Sequence, residues 1–149
     1  MIPRALLPVL AAFALNTSVS ICAEAPFHDC SRSLSEVISL AAVPADVAIA
    51  LGRPIVGLKG IADRGEPFNA TDIVETDLPM RRFVVGGISD DYVIVAVEIG
   101  GRGHTLSAIA FTRVDSKWTE TQTWRWNWHD VGRPDNLEAL LRLVCDAST

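Results

Sequence analysis

Apolar positions recur along the chain with two periods. Leu34, Val37, Ile38 and Ala41 stand at i, i+3, i+4 and i+7, the spacing of one helical face. Ser33 and Glu36 form a capping box, in which the serine caps a backbone N–H and the glutamate reaches back. Pro44 ends that helix and suits the start of a second, Ala45 to Leu51, closed by Gly52. Near the other terminus Leu137, Leu140, Leu141 and Val144 repeat the stripe. Asp135 is the N-cap candidate there, with Glu138 three residues on.

Between these helices the period falls to two. Ile55 to Ile61 is a weak strand candidate, interrupted by Gly57 and Gly60. Asp63 to Pro67 reads as a turn, and Asn69 to Pro79 as irregular. Four better strands follow: Arg82 to Ile88, Tyr92 to Ile99, Thr105 to Val114 and Trp118 to Trp128. Their links are short, which requires antiparallel hairpins. The expected fold class is α+β: an antiparallel β-meander of four to five strands, with N-terminal helices and one C-terminal helix packed on one face.

Alternation also predicts a register. A hairpin at Gly101-Arg102 sets Ile99 opposite His104, Val97 opposite Leu106, Val95 opposite Ala108 and Val93 opposite Ala110. A three-residue loop in the next hairpin sets Trp118 opposite Val114, Trp124 opposite Ala108 and Trp126 opposite Leu106, large beside small. The helices are then expected over the face carrying Val93, Val95, Val97 and the tryptophans. The other face carries Tyr92, Ile94, Ile109 and Phe111 within a rim of threonines, Arg113 and Arg125. An apolar centre in a polar rim has the composition of a binding surface, unless Ile55 to Leu78 folds back over it.

The chain has 149 residues, 49% of them hydrophobic, and a formal net charge of −5. That length fits one domain, and that composition is the reverse of a disordered chain. Acidic residues outnumber basic ones, 18 to 13, and no basic cluster exceeds Arg81-Arg82, which argues against a nucleic-acid partner. Met1 to Arg4 is short and positive, Ala5 to Leu15 is apolar, and Asn16 to Ala23 is smaller and more polar. This order is that of a secretory signal peptide. The apolar run is short of the roughly 20 residues of a membrane span. The expected organisation is a signal at residues 1–23 and one α+β domain at 24–149, with no stable membrane span and a periplasmic or extracellular destination. Ile21 is bulky where a lipid anchor at Cys22 would want a small residue.

Candidate chemistry is sparse. Gly100-Gly101-Arg102-Gly103-His104 lies between strands, so it is no phosphate loop, which would open a helix. It offers an exposed arginine on a tight hairpin with a histidine at its base. Trp124, Trp126 and Trp128 alternate; such a stripe is core when covered and stacks on sugars when exposed. His28, His104 and His129 lack metal-ligand spacing, and the carboxylates Asp63, Asp72, Glu75 and Asp77 lack that of a calcium loop. No metal or other cofactor is expected. Asn69-Ala70-Thr71 is a glycosylation sequon.

Function is expected to be binding rather than catalysis. The candidate residues are Arg102 and His104 at the tip, and Tyr92, Ile94, Ile109, Phe111 and Arg113 on the second face. The expected partner is another exported or envelope protein, which the chain would engage as an inhibitor or neutraliser of an envelope enzyme. A small-ligand or glycan-binding domain using the tryptophans is one alternative. A hydrolase assembled from His104 and distant carboxylates is another.

Cleavage after Ala23 removes Cys22 and leaves Cys30 and Cys145. An even pair in an oxidising compartment is expected to bridge. A catalytic cysteine paired with His28 or His104 is the rival, but an exported thiolate with a partner at hand is rarely left free. The bridge would close a loop of more than about a hundred residues, for which chain entropy gives ~4–5 kcal/mol. Non-reduced mass spectrometry of the mature protein should find Cys30 joined to Cys145, and Cys30→Ala should cost about 2–5 kcal/mol. Two free thiols would dismiss the bridge.

Overall fold

The computed structural model describes residues 32–148. The expected signal peptide, His28 and Cys30 lie outside the described residues. The strands are β1 (Ser35–Val37), β2 (Ile61–Ala62), β3 (Arg81–Ile88), β4 (Tyr92–Ile99), β5 (Thr105–Val114) and β6 (Lys117–Asn127). The helices are α1 (Ala45–Ala50), α2 (Trp128–Val131) and α3 (Leu137–Asp146), with a 3-10 turn at Leu40–Ala42. β3 to β6 form the antiparallel meander. β1 joins the free side of β3 antiparallel, and the two residues of β2 pair with the start of β3 in parallel. The α+β meander expected from alternation is therefore present, although residues 55–60 stay outside the sheet.

The first helix expected from periodicity is absent. Its residues make β1 and the 3-10 turn. Leu34 packs toward one core and Val37 lies in the other, the alternation of a strand. Glu36 does not close a capping box. Its carboxylate accepts the Leu137 N–H at 2.7 Å, so it satisfies an orphan donor at the start of α3, 101 residues away. The 3-10 turn is held by Asp63, which accepts from Ser39 Oγ at 2.7 Å and from the Leu40 N–H at 2.9 Å. Burial pushes the Asp63 carboxyl up, but these bonds and the Arg64 N–H outweigh it and hold it below its ordinary value. At the C-terminal helix the cap is Asn136, whose side chain accepts the Ala139 N–H at 2.9 Å, and not Asp135. Leu137, Leu140 and Val144 are buried as the stripe predicts.

The helices cover both faces of the sheet. On one, Leu137, Leu140 and Val144 of α3 pack on Tyr92, Ile94, Ala96, Leu106, Ala108, Ala110 and Trp124. On the other, Leu40, Val43, Val47 and Leu51 cover Phe83, Val93, Val95, Val97 and Phe111. The expected packing on a single face is thus corrected, and so is the register behind it. Val93 pairs with Phe111, Val95 with Ile109 and Val97 with Ser107, one residue from the expected pairing. Gly100 to His104 forms a longer link than the tight turn expected. In a sheet buried on both faces, either register places apolar beside apolar, so alternation does not distinguish them.

The last hairpin shows how a single extra residue redirects a side chain. Trp124 pairs with Ala108 and Trp126 with Leu106, as expected. A bulge follows: Ala110 pairs with Gln122 but Phe111 with Glu120, leaving Thr121 over. The turn is then the two residues Asp115 and Ser116, both at positive φ, as a hairpin of matching twist requires. Trp118 therefore sits opposite Arg113 rather than Val114 and packs with the second core. Trp124 is 8% exposed, whereas Trp126 is only partly buried. Trp124→Ala should cost roughly 3–5 kcal/mol in chemical denaturation, with Trp126→Ala clearly less costly. Equal costs would contradict this division.

Candidate functional site

The centre of the site is a carboxylate in an apolar strand. Glu98 is 2% exposed near the end of β4, whose residues from Tyr92 to Val97 are all buried and carry no other charge. A buried charge is tolerated only when paired and hydrogen-bonded. Arg82, its cross-strand neighbour on β3, donates to Glu98 Oε2 from Nη2 at 2.8 Å and from Nε at 3.2 Å. His104 Nε2 lies 2.8 Å from Glu98 Oε1. Both carboxylate oxygens are therefore engaged. The Arg82 guanidinium also lies over the Phe68 ring, 4.2 Å from its centroid, a cation–π contact in a partly desolvated place.

His104 is fixed from a second side. Its ring stacks on Trp128 at 4.5 Å between centroids and 5° between planes, and its carbonyl accepts the Trp128 N–H at 3.1 Å. Trp128 opens α2, which begins where Asn127 Oδ1 accepts the His129 N–H at 3.1 Å. The end of β6 thus folds over the histidine. Nε2 is engaged by the carboxylate, which leaves Nδ1 as the ring's other hydrogen-bonding atom. Among the described residues Nδ1 has no hydrogen-bond partner.

The loop on the other side is built around Asn69. This residue is 3% exposed. Its side-chain amide donates to the carbonyls of Glu75 and Leu78 and accepts the Glu75 N–H, at 2.7–2.8 Å. Asn69 is an internal brace, so the sequon holds no accessible amide. Gly100 lies against this loop, and a Cβ there would collide with the Asn69 carbonyl. Gly101 has φ +91°, a conformation that favours glycine. The hairpin therefore runs close to residues 69–79 and then turns outward.

These elements enclose an open cleft of about 710 Å³. Arg102, His104, Arg125, Asn127, Trp126 and His129 line it, with Ala70, Thr71 and Asp72 from the Asn69 loop. Two guanidinium groups and two imidazoles thus line the cleft together with one carboxylate, Asp72. Such a set attracts anions and orients them through forked donors.

The expected site residues divide. Arg102 and His104 meet in the cleft. Tyr92, Ile94 and Phe111 are buried and Ile109 partly so, with Tyr92 and Ile94 in one core and Ile109 and Phe111 on the other. They form no single exposed face. Burial pushes the Tyr92 phenol well above its ordinary range and keeps it neutral. Arg113 is exposed at the far end of β5, its guanidinium 5.9 Å from the Trp118 ring. Cys145 lies half-buried in the last turn of α3. Among the described residues no group of histidine, cysteine and carboxylate side chains has the arrangement of a metal site. No helix there is long and apolar enough to cross a membrane.

The sequence alone does not place Arg82 or Glu98 in a site, weighs Asp72 only as one of four carboxylates that lack calcium-loop spacing, and does not join Arg125, Trp128 and His129 to His104. One signal for Glu98 was present: a lone charge in Tyr-Val-Ile-Val-Ala-Val-Glu-Ile requires a buried partner. Comparison of the chain with protein-family models, curated proteins and solved structures finds no match. Glu98→Ala should destabilise the fold by about 3–5 kcal/mol, because it strands a partly buried arginine. Urea denaturation measures this, and a loss under 1 kcal/mol would show that the pairing is not structural.

Proposed function

We propose that the chain is an exported binding protein that engages another exported or envelope protein through the Gly100 to His104 hairpin and the cleft beside it. The observation that supports this most directly is the convergence of Arg102, Arg125, His104 and His129 on one concavity. The hairpin is braced by Gly100 against the Asn69 loop and by His104 on Glu98 and Trp128. A braced loop loses little entropy on binding. An exported inhibitor or neutraliser of an envelope enzyme would use such a loop as its anchor.

A second reading is a hydrolase, favoured by one contact: His104 hydrogen-bonded to the buried Glu98 in a cleft that also holds Asp72. A histidine oriented by a carboxylate is the base of many acyl-transfer sites. Among the described residues no serine, threonine or cysteine is hydrogen-bonded to this ring, so the binding reading comes first.

A pull-down from envelope extract with the mature protein identifies the partner. Arg102→Ala should leave the melting temperature nearly unchanged and weaken partner binding by about 2 kcal/mol or more. Full binding by a variant carrying both Arg102→Ala and His104→Ala would remove the hairpin from the site. Turnover of chromogenic esters that vanishes in His104→Ala would favour the hydrolase.

A further inference from the structure

The cleft opens at one end of β6. The sheet order ends at β6, and among the described residues no strand pairs with its outer edge. Edge strands are commonly blunted by proline or a bulge. Here the bulge is confined to the turn end, at Ala110/Phe111. From Gln122 to Asn127 every residue holds regular register with β5, from Ala110 back to Thr105, and none is proline. This regular edge runs directly into the cleft, since Arg125, Trp126 and Asn127 belong to both.

We propose that the cleft receives an acidic, extended segment of a partner protein. The segment adds as a strand to the edge at Gln122–Asn127 and sets a carboxylate among Arg125, Arg102 and His129. The inference rests on the protein-partner reading and names the element that enters. Strand addition gives affinity through main-chain hydrogen bonds and specificity through pockets for alternate side chains. A helix could not extend the sheet through main-chain hydrogen bonds. A basic segment would face two guanidinium groups, and a neutral one would leave them without a counter-charge. Asp72, the opposing carboxylate, disfavours a second acidic side chain on the loop side and so orients the segment.

The test begins with a random dodecapeptide display library panned on the mature protein. Sequences rich in Asp and Glu and poor in Pro should be enriched. A synthetic peptide of the enriched sequence should bind the wild type at least ten-fold more tightly than the Arg102→Ala, Arg125→Ala double variant. Both arginines are exposed, so this variant retains the fold. Affinity should fall as salt rises, and the amides of residues 122–127 should gain protection from hydrogen exchange. No enrichment, enrichment of neutral or basic sequences, or equal binding by the double variant overturns the proposal. Acidic peptides that bind without protecting β6 overturn it too. A protein captured in the pull-down while peptides fail would reject the acidic strand and leave the broader reading standing.

Discussion

A meander that is apolar on both faces cannot turn either one to water. In β4 every residue from Tyr92 to Glu98 is buried, so the sheet needs a cover on each side. The chain supplies these covers from its two ends. The 3-10 turn and α1 come before the meander and close over Phe83, Val93, Val95, Val97 and Phe111. α3 follows it and closes over Tyr92, Ile94, Leu106 and Trp124. The two sides are linked at the sheet edge, where Glu36 of β1 caps the start of α3. Loss of either cover would expose a large apolar area, so the covering segments and the sheet depend on one another.

The same constraint creates the site. In an otherwise apolar strand, Glu98 requires donors from outside β4. Arg82 comes from the adjacent strand and His104 from the hairpin that leaves β4. Satisfying the carboxylate therefore fixes the base of the hairpin. Trp128 then closes on His104, and this turns the end of β6 into the wall of the cleft. The structural role of the pair and its nearness to a cationic cleft have one origin, since the residue that holds the hairpin also lines the concavity.

Local pattern determined much of the architecture. Tyr92 to Ile99 and Thr105 to Val114 are strands where alternation places them, and Leu137, Leu140 and Val144 form the buried stripe of a helix. Trp124 stands opposite Ala108 because a large ring needs a small neighbour. The hairpin pair Arg102 and His104 was legible because glycines on both sides mark an exposed turn. Each of these follows from residues close in sequence or directly across one hairpin.

What the tertiary structure decided involves partners far apart in the chain. Ser33 to Ala41 has helical spacing, yet the free edge of β3 and the open N-terminus of α3 draw part of it into a strand. The register of β4 on β5 was open to alternation, because both faces are buried and a shift of one residue keeps apolar side chains inside. The bulge at Ala110/Phe111 moves Trp118 to the second core without any glycine or proline to announce it. Arg82, Glu98 and His104 meet through strand pairing and hairpin closure; the register of β6 on β5 brings Arg125 to the same cleft as His104, and the turn that stacks Trp128 on the histidine brings His129. Periodicity records which side of an element is apolar; it does not record which distant segment will cover that side, and the cleft exists where those covers stop.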